Sequence, residues 1–144
     1  MIKIISITAQ GIYLKHLTIN TRHQRSYSPE DLMILQGPKD DFKPGSQWKV
    51  GDLHGYAELL LMDDSKAYFE NTLYIEHLFV KENLRGKGYG RSLYDKVEKL
   101  ARNIGVKYIQ LDSEEEAVWF WLKLGFRKLD VLYYQNKTSM IKEI

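Results

Sequence analysis

Three glycines at alternate positions, Gly86, Gly88 and Gly90, stand between an apolar run and an amphipathic one, and they constrain the fold more than any other stretch of the chain. Before them, Leu73-Tyr-Ile-Glu-His-Leu-Phe-Val80 reads as a strand. After them, Leu93, Val97, Leu100, Ala101 and Ile104 fall on a single helical stripe, and Gly105 supplies its C-terminal stop. Strand, glycine loop and helix in that order bring backbone N–H groups, unobstructed by any Cβ, to the positive end of a helix dipole. An anion there gains about 0.3–1 kcal/mol from the dipole alone, and Arg85, Lys87 and Arg91 add charge. Two phosphates would sit well in such a loop, so the segment is expected to bind a pyrophosphate.

Other glycine loops make different demands. A P-loop carries a Lys-Ser/Thr pair after its last glycine, and none follows Gly90. The dinucleotide fingerprint G-x-G-x-x-G requires a glycine where Arg91 stands, although Asp112, at the end of the next strand, mimics the ribose-binding acid of that fold. That fold also opens with its fingerprint, whereas some 80 residues precede this one.

What remains is R-x-x-G-x-G, written here Arg85-Gly86-Lys87-Gly88-Tyr89-Gly90, and it resembles the acetyl-CoA pyrophosphate motif of the GNAT superfamily of N-acetyltransferases. A second segment, Ala117-Val-Trp-Phe120-Trp121-Leu-Lys-Leu-Gly125-Phe126, is similar to that family's A-x-x-F-Y-x-x-x-G-F signature and follows after an intervening strand. The resemblance covers residues 55 to 130, and the first 50 residues do not match on sequence. It implies an α/β fold with a mixed, mostly antiparallel central sheet flanked by helices. A helix between two strands over residues 73–112 gives a right-handed crossover and so a parallel pair. In the family these two strands splay apart to admit the pantetheine arm. By resemblance, Leu78, Phe79 and Val80, the loop from Arg85 through Gly86, Lys87, Gly88, Tyr89 and Gly90 to Arg91, and Glu114, Phe120 and Trp121 contact the acetyl-CoA cosubstrate. The main chain near Phe79 and Val80 would face the thioester oxygen.

Amide formation sets the remaining requirements. For a lysine-like acceptor of pKa near 10.4, the neutral nucleophile at pH 7 is scarce by about 3.4 units, or roughly 4.6 kcal/mol, so a carboxylate is needed to take its proton. Glu76, on the strand leading to the loop, is the first candidate, and the family often places a carboxylate there; a buried, ion-paired carboxylate is the structural alternative. Glu58 on the preceding strand is the second. Two positions depart from the family. Trp121 stands where a tyrosine usually protonates the leaving sulfur, and an indole N–H cannot deliver a proton; Glu114 stands where an asparagine often contacts pantetheine. A thiol of pKa near 8.5 is already a fair leaving group, and Tyr134 or Tyr133 could replace the missing hydroxyl, unless these are ordinary packing tyrosines.

Composition is compatible with this reading. A chain of 144 residues, 44% hydrophobic and 28% charged, is expected to form a single GNAT-like domain over 1–144. No apolar run approaches the ~20 residues of a membrane span, and Met1 to Ile7 is short and interrupted by Lys3, so a cytoplasmic protein without a membrane partner is expected. The absence of cysteine removes disulfides, thiolate zinc sites and a cysteine acyl-enzyme, which leaves direct transfer in a ternary complex. His16, His23, His54 and His77 have no metal-ligand spacing, and a net charge of +2 does not argue for nucleic acid. Lys15, His16, Arg22, His23 and Arg25 make the early segment basic; a solvated face explains them, with an acidic acceptor as the alternative. Trp119, Phe120 and Trp121 are expected in the core, with one ring at the cofactor channel. Exposed terminal strands make a homodimer reasonable.

The expected elements are a strand at 2–8, helical or mixed structure at 9–36, a loop at 37–45, strands at 46–50, 54–62 and 73–80, a helix at 89–104, a strand at 107–112, a helix at 114–124, and strands at 126–134 and 137–143. Ser28-Pro29 is expected to start a helix, and Ser113 to Glu116 to form a capping box. The functional expectation is acetyl transfer to a primary amine of unknown identity. The alternative, prompted by Trp121 and Glu114, is an acyl-CoA-binding regulatory or interaction module whose catalysis has decayed. A small nucleotide-binding domain is a third reading.

Overall fold

A computed structural model describes residues 2–4 as backbone, and 32–38, 40–131 and 133–144. Its strands are β1 (Ile2–Ile4), β2 (Leu32–Gln36), β3 (Gln47–Gly51), β4 (Gly55–Leu61), β5 (Thr72–Val80), β6 (Tyr108–Glu114), β7 (Arg127–Lys128) and β8 (Lys137–Glu143). The helices are α1 (Tyr89–Ile104) and α2 (Val118–Lys123), with single 3-10 turns at Glu82–Leu84 and Glu115–Ala117. All eight strands join one sheet in the order β1-β2-β3-β4-β5-β6-β8-β7. Neighbours run antiparallel except β1–β2 and β5–β6, so the sheet is mixed and mostly antiparallel, as expected, with one parallel pair more than the sequence suggested.

Alternation along the strands places one face in the core. Trp48 and Val50, Ala57 and Leu59, Leu73 and Ile75, and Ile109 and Leu111 are buried in one cluster with Leu93, Tyr94, Val97, Leu100 and Ala101 of α1. α1 ends at Gly105 (φ +96°), whose N–H bonds the carbonyls of Ala101 and Arg102, as its glycine stop predicts. α2 is held to α1 by rings: Trp121 meets Tyr94 and Phe126 edge-on, with centroids 5.9 and 5.2 Å apart. Three cationic or phenolic groups, Lys142, Tyr94 and Arg102, converge on Glu98 at 2.7, 2.8 and 3.0 Å, which fastens α1 to β8.

The parallel pair opens partway along. β5 and β6 pair from Thr72↔Tyr108 to Ile75↔Leu111 and no further, although they run on to Val80 and Glu114. The break coincides with a bulge. On the β4 side Glu58 pairs with His77 and Leu59 with Ile75, which leaves Glu76 as the extra residue. A bulge bends its strand and steepens the twist, so β5 turns out of line with β6 at the point where their hydrogen bonds stop.

Several expectations need correcting. Residues 32–36 form strand β2, where helical or mixed structure was expected; four successive buried residues, Leu32 to Leu35, suit a strand covered on both sides. Residues 5–31, with the expected helix start at Ser28-Pro29 and the basic positions Lys15, His16, Arg22, His23 and Arg25, lie outside the described residues. The expected helix at 114–124 is α-helical only over Val118–Lys123, because β6 continues to Glu114. Ser113 is a strand residue whose hydroxyl donates to the Glu114 carbonyl at 2.7 Å, so it caps no helix. The expected strand at 126–134 shrinks to Arg127–Lys128, which puts Tyr133 and Tyr134 in the connection to β8. No described helix is long and apolar enough to cross a membrane.

Candidate functional site

The opening between β5 and β6 has a cavity on each face of the sheet. On the α1 face, a cavity of about 470 Å³ is lined by Leu78 and Val80 of β5, by Arg85, Gly86, Gly88, Gly90 and Arg91, and by Ala117, Phe120 and Trp121. On the opposite face, a cavity of about 280 Å³ is lined by Leu60, Met62 and Lys66, by Tyr74 and Glu76, by Gln110 and Asp112, and by Tyr133 and Tyr134. The bulge separates the two sets on β5: Leu73 and Ile75 are core, Tyr74 and Glu76 face the smaller cavity, and Leu78 and Val80 face the larger.

One end of the larger cavity is backbone, and the rest is apolar side chains and two arginines. Gly86 and Gly88 have φ of +80° and +85°, a region costly for any side chain, and a Cβ on either would enter open space. Gly88 is the N-cap of α1 with no side chain capping it, and its carbonyl accepts the Ser92 N–H at 3.1 Å. The N–H groups of the first turn, which have no intrahelical partner, therefore meet the cavity at the positive end of a helix of 16 residues. Gly90 lines the cavity and serves a second purpose as well. Its φ is ordinary, but a Cβ there would come within 3.3 Å of the Phe120 ring, so its bareness lets α1 and α2 close against each other. Arg85 Nε donates to the Val80 carbonyl at 3.0 Å, and its guanidinium lies 5.3 Å from the centre of the Phe79 ring. A doubly charged phosphate chain fits this cradle of glycine backbone, uncapped helix and two arginines.

The loop is braced from β3 and β4. Asp52, fully buried, accepts the N–H groups of His54 and Gly55 at 2.8 and 3.1 Å through Oδ1 and an ion pair from Lys96 Nζ at 2.7 Å through Oδ2. His54 stacks on Tyr89, ring centroids 3.6 Å apart. These contacts tie the β3–β4 turn to α1, and nothing in the local sequence around Asp52 announces them.

The smaller cavity is built from side chains. Glu76 is exposed, and its carboxylate accepts from Gln47 Nε2 at 3.4 Å. Asp112 is held by two hydroxyls, Tyr74 to Oδ2 and Ser139 to Oδ1. Burial first, and the hydrogen bond to Asp112 second, push the Tyr74 hydroxyl well above the usual tyrosine range, so Tyr74 keeps its proton. Glu76 and Asp112 each sit one residue beyond the last paired positions, Ile75 and Leu111, and so stand on either side of the opening.

Leu78, Val80, Arg85, Gly86, Gly88, Gly90, Arg91, Phe120 and Trp121 thus come together in one cavity, and Glu76 and Tyr134 in the other. The remaining cofactor candidates line neither. Phe79 packs with Tyr56 at 5.3 Å, Lys87 is exposed, Tyr89 lies on His54, and Glu114 pairs with Lys137 at 3.6 Å. Glu58 is exposed on β4 and lines neither cavity. Trp121, only 7% exposed, is both core and cavity wall, whereas Trp119 is 73% exposed and does not belong to the core as expected. Gln110 and Tyr74 were missed, although each alternates with apolar residues in its strand and so shares a face with Asp112 or Glu76. Among the described residues, no group of three or more His, Asp or Glu could hold a metal ion.

Solved structures share this architecture. An acyl-CoA N-acyltransferase, so described, from Klebsiella pneumoniae aligns with a TM-score of 0.60 at 14% identity, over 96% of this chain and 93% of its own. PaiA N-acetyltransferase from Thermoplasma acidophilum, solved in complex with coenzyme A, aligns with a TM-score of 0.55 at 18% identity, over 86% of this chain and 66% of its own. A GNAT-family acetyltransferase from Staphylococcus aureus Mu50 aligns with a TM-score of 0.54 at 19% identity, over 68% of this chain and 66% of its own. The chain therefore spans slightly less than two thirds of the length of those last two. No curated protein matches it in sequence. The profile of the acetyltransferase (GNAT) family matches residues 14–126, reaching into the first 50 residues that the two motifs alone left unmatched, and the chain belongs to that family.

Proposed function

We propose that the protein moves an acetyl group from acetyl-CoA to a primary amine by direct attack in a ternary complex. The observation that carries this reading is the pair of cavities flanking the strand opening, an anion cradle on one face and two carboxylates on the other.

The glycine loop and Arg85 and Arg91 bind the pyrophosphate, and Leu78, Val80, Ala117 and Phe120 enclose the arm that follows it. Beyond Ile75 and Leu111 the facing edges of β5 and β6 have no strand between them, so their N–H and C=O groups are available to an extended arm carrying amides. Main-chain N–H near Phe79 and Val80 meets the thioester oxygen as charge develops on it, a contribution of ~2.7–4 kcal/mol where such a donor has been removed elsewhere. Glu76 takes the proton of the incoming ammonium, directly or through one water. Tyr134 returns a proton to the leaving sulfur. Tyr74 cannot, because its hydroxyl is committed to Asp112, and Trp121 has none.

Titration with acetyl-CoA, with NAD and ATP as controls, followed by thiol release over a panel of amines, tests this. Acetyl-CoA binding with amine-dependent release is the expected result, and absence of CoA binding would sink it. A second reading, a CoA-binding module without turnover, draws on the burial of Trp121 among Tyr94, Phe120 and Phe126, a packing role that needs no hydroxyl. It predicts binding without release, and a large gain of release on Trp121→Tyr; an active protein unaffected by that change would remove it.

A further inference from the structure

The smaller cavity holds a polar group that the transfer reaction does not use. Gln110 is 2% exposed, lies two residues before Asp112 on the same face of β6, and lines the cavity. Its Oε1 accepts the Tyr68 N–H at 3.2 Å, and because a backbone N–H can only donate, that bond fixes which way round the amide lies. Nε2, with two N–H donors, makes no hydrogen bond within the described residues. A buried amide donor without a partner is costly, by about 1–3 kcal/mol, unless something else accepts from it. A carbonyl or carboxylate oxygen of a ligand would satisfy it. Lys66 supplies a cation to the same lining.

The cavity therefore has two chemically opposite ends. Acceptors, Glu76 and Asp112, stand at the strand opening; the donor Gln110 Nε2 stands deeper, where β5 and β6 are still paired, since Gln110 is level with Tyr74, and the exposed Lys66 joins the lining from the segment after β4. Gln110 and Asp112 are separated by two strand residues, about 6.6 Å, a distance that a small ligand bearing both a cation and an oxygen acceptor can bridge. A volume of about 280 Å³ is at the small end for ligand sites.

We propose that the acceptor is an amine that also carries a carbonyl or carboxylate oxygen, as an amino acid or a peptide N-terminus does, with its ammonium between Glu76 and Asp112 and its oxygen on Gln110. This rests on the acyl-transfer reading of the opening, and the test separates the two. Alanine, the dipeptide Ala-Ala and ethylamine are compared as acceptors and, by calorimetry, as ligands of the CoA-loaded protein. Alanine or Ala-Ala should exceed ethylamine by at least about tenfold in kcat/KM, carried by KM, because a site with a buried donor rejects a ligand that leaves it unpaired. Which of the two leads tells a free amino acid from a chain end. Gln110→Glu keeps the acceptor for Tyr68 and replaces the amide donors with an anion; it should erase the preference for acceptors that carry an oxygen, and Gln110→Met checks the result without the added charge. Ratios between acceptors are read, so a variant with less folded protein still reports. Equal affinity of the wild-type protein for alanine, Ala-Ala and ethylamine, or a uniform loss across them in both variants, would overturn the proposal. Selective binding without thiol release would support the site and sink acetyl transfer instead.

Discussion

The two cavities that flank the β5–β6 opening are made of different materials. The larger has a backbone end, with N–H groups exposed by two left-handed glycines and by the uncapped start of α1, beside an apolar wall. The smaller is a side-chain site, assembled from β4, the segment that follows it, β5, β6 and the connection to β8. A backbone site tolerates change around it and fails when a Cβ or a negative charge enters; a side-chain site fails group by group, each with its own pH and substrate signature. That contrast suits a shared donor and a particular acceptor, since phosphates ask only for N–H groups and positive charge whereas an acceptor must be told from its analogues.

The largest expected effect attacks the backbone site. Gly88→Glu forces a side chain into φ +85° and places a carboxylate at the proposed phosphate site; CoA affinity should fall by at least about 100-fold in calorimetry, with the helical circular dichroism retained because the strain is local to the loop and a Cβ there meets nothing within 4 Å. Unaltered affinity would mean that the loop is not the anion site. Next, Glu76→Gln should lower kcat by about 10²–10³ and move the pH profile upward toward that of the free amine, with CoA affinity kept. A profile identical to wild type would remove Glu76 as the base and blur the division between the cavities. Tyr134→Phe should cost about 10-fold to 100-fold in kcat, near or below the low end for acid catalysis because the thiolate leaves readily; no loss would show that the sulfur departs unprotonated.

The smallest effect should spare both cavities. Burial of Glu98 raises its pKa, but the hydrogen bonds from Lys142, Tyr94 and Arg102 outweigh it and hold the carboxyl at about 2. Its folded pKa is below the ordinary glutamate value of 4.5, so its contribution is complete above that value and is lost as pH falls toward 2. Glu98→Gln should therefore flatten the loss of stability across that window by on the order of 1–2 kcal/mol once solvent screening is allowed for, with CoA binding and turnover unchanged at neutral pH. A change in CoA affinity would show that the tie between α1 and β8 also sets the loop.

How far each region could be read beforehand follows the same division. The strand over 73–80, the glycine loop and the helix over 89–104 match β5 and α1 within a residue, because strand pattern, glycine conformation and helical stripe are local signals that agree. Even there Gly90 has a second role that could not be read locally, since its contact with Phe120 is made across two helices. The segment around α2 was harder. Ser113 and three glutamates resemble a capping box, but the pairing of Asp112, Ser113 and Glu114 with Ser139, Thr138 and Lys137 of β8 holds the chain extended, and that pairing reaches about 25 residues along the sequence. Tyr133 and Tyr134 look like strand residues by type, yet β7 stops at Lys128. Of the smaller cavity, Glu76 and Tyr134 were named, while Gln110, Tyr74 and Lys66 were not, and Asp112 was noticed only as a mimic of a nucleotide-binding acid.

By itself the sequence determined that a glycine loop would follow one strand and open one helix, because glycine's conformational range and the helical stripe depend on nothing farther away than the next turn. It also determined, through two spaced motifs, the family to which the chain belongs. Tertiary structure alone decided that β5 and β6 part at Ile75 and Leu111, that a bulge turns Glu76 toward the opening, and that Gln110, Asp112, Tyr74 and Tyr134 share one cavity. Those outcomes depend on hydrogen-bond register between strands distant in the chain, and shifting one strand by a single residue would send every one of its side chains to the other face.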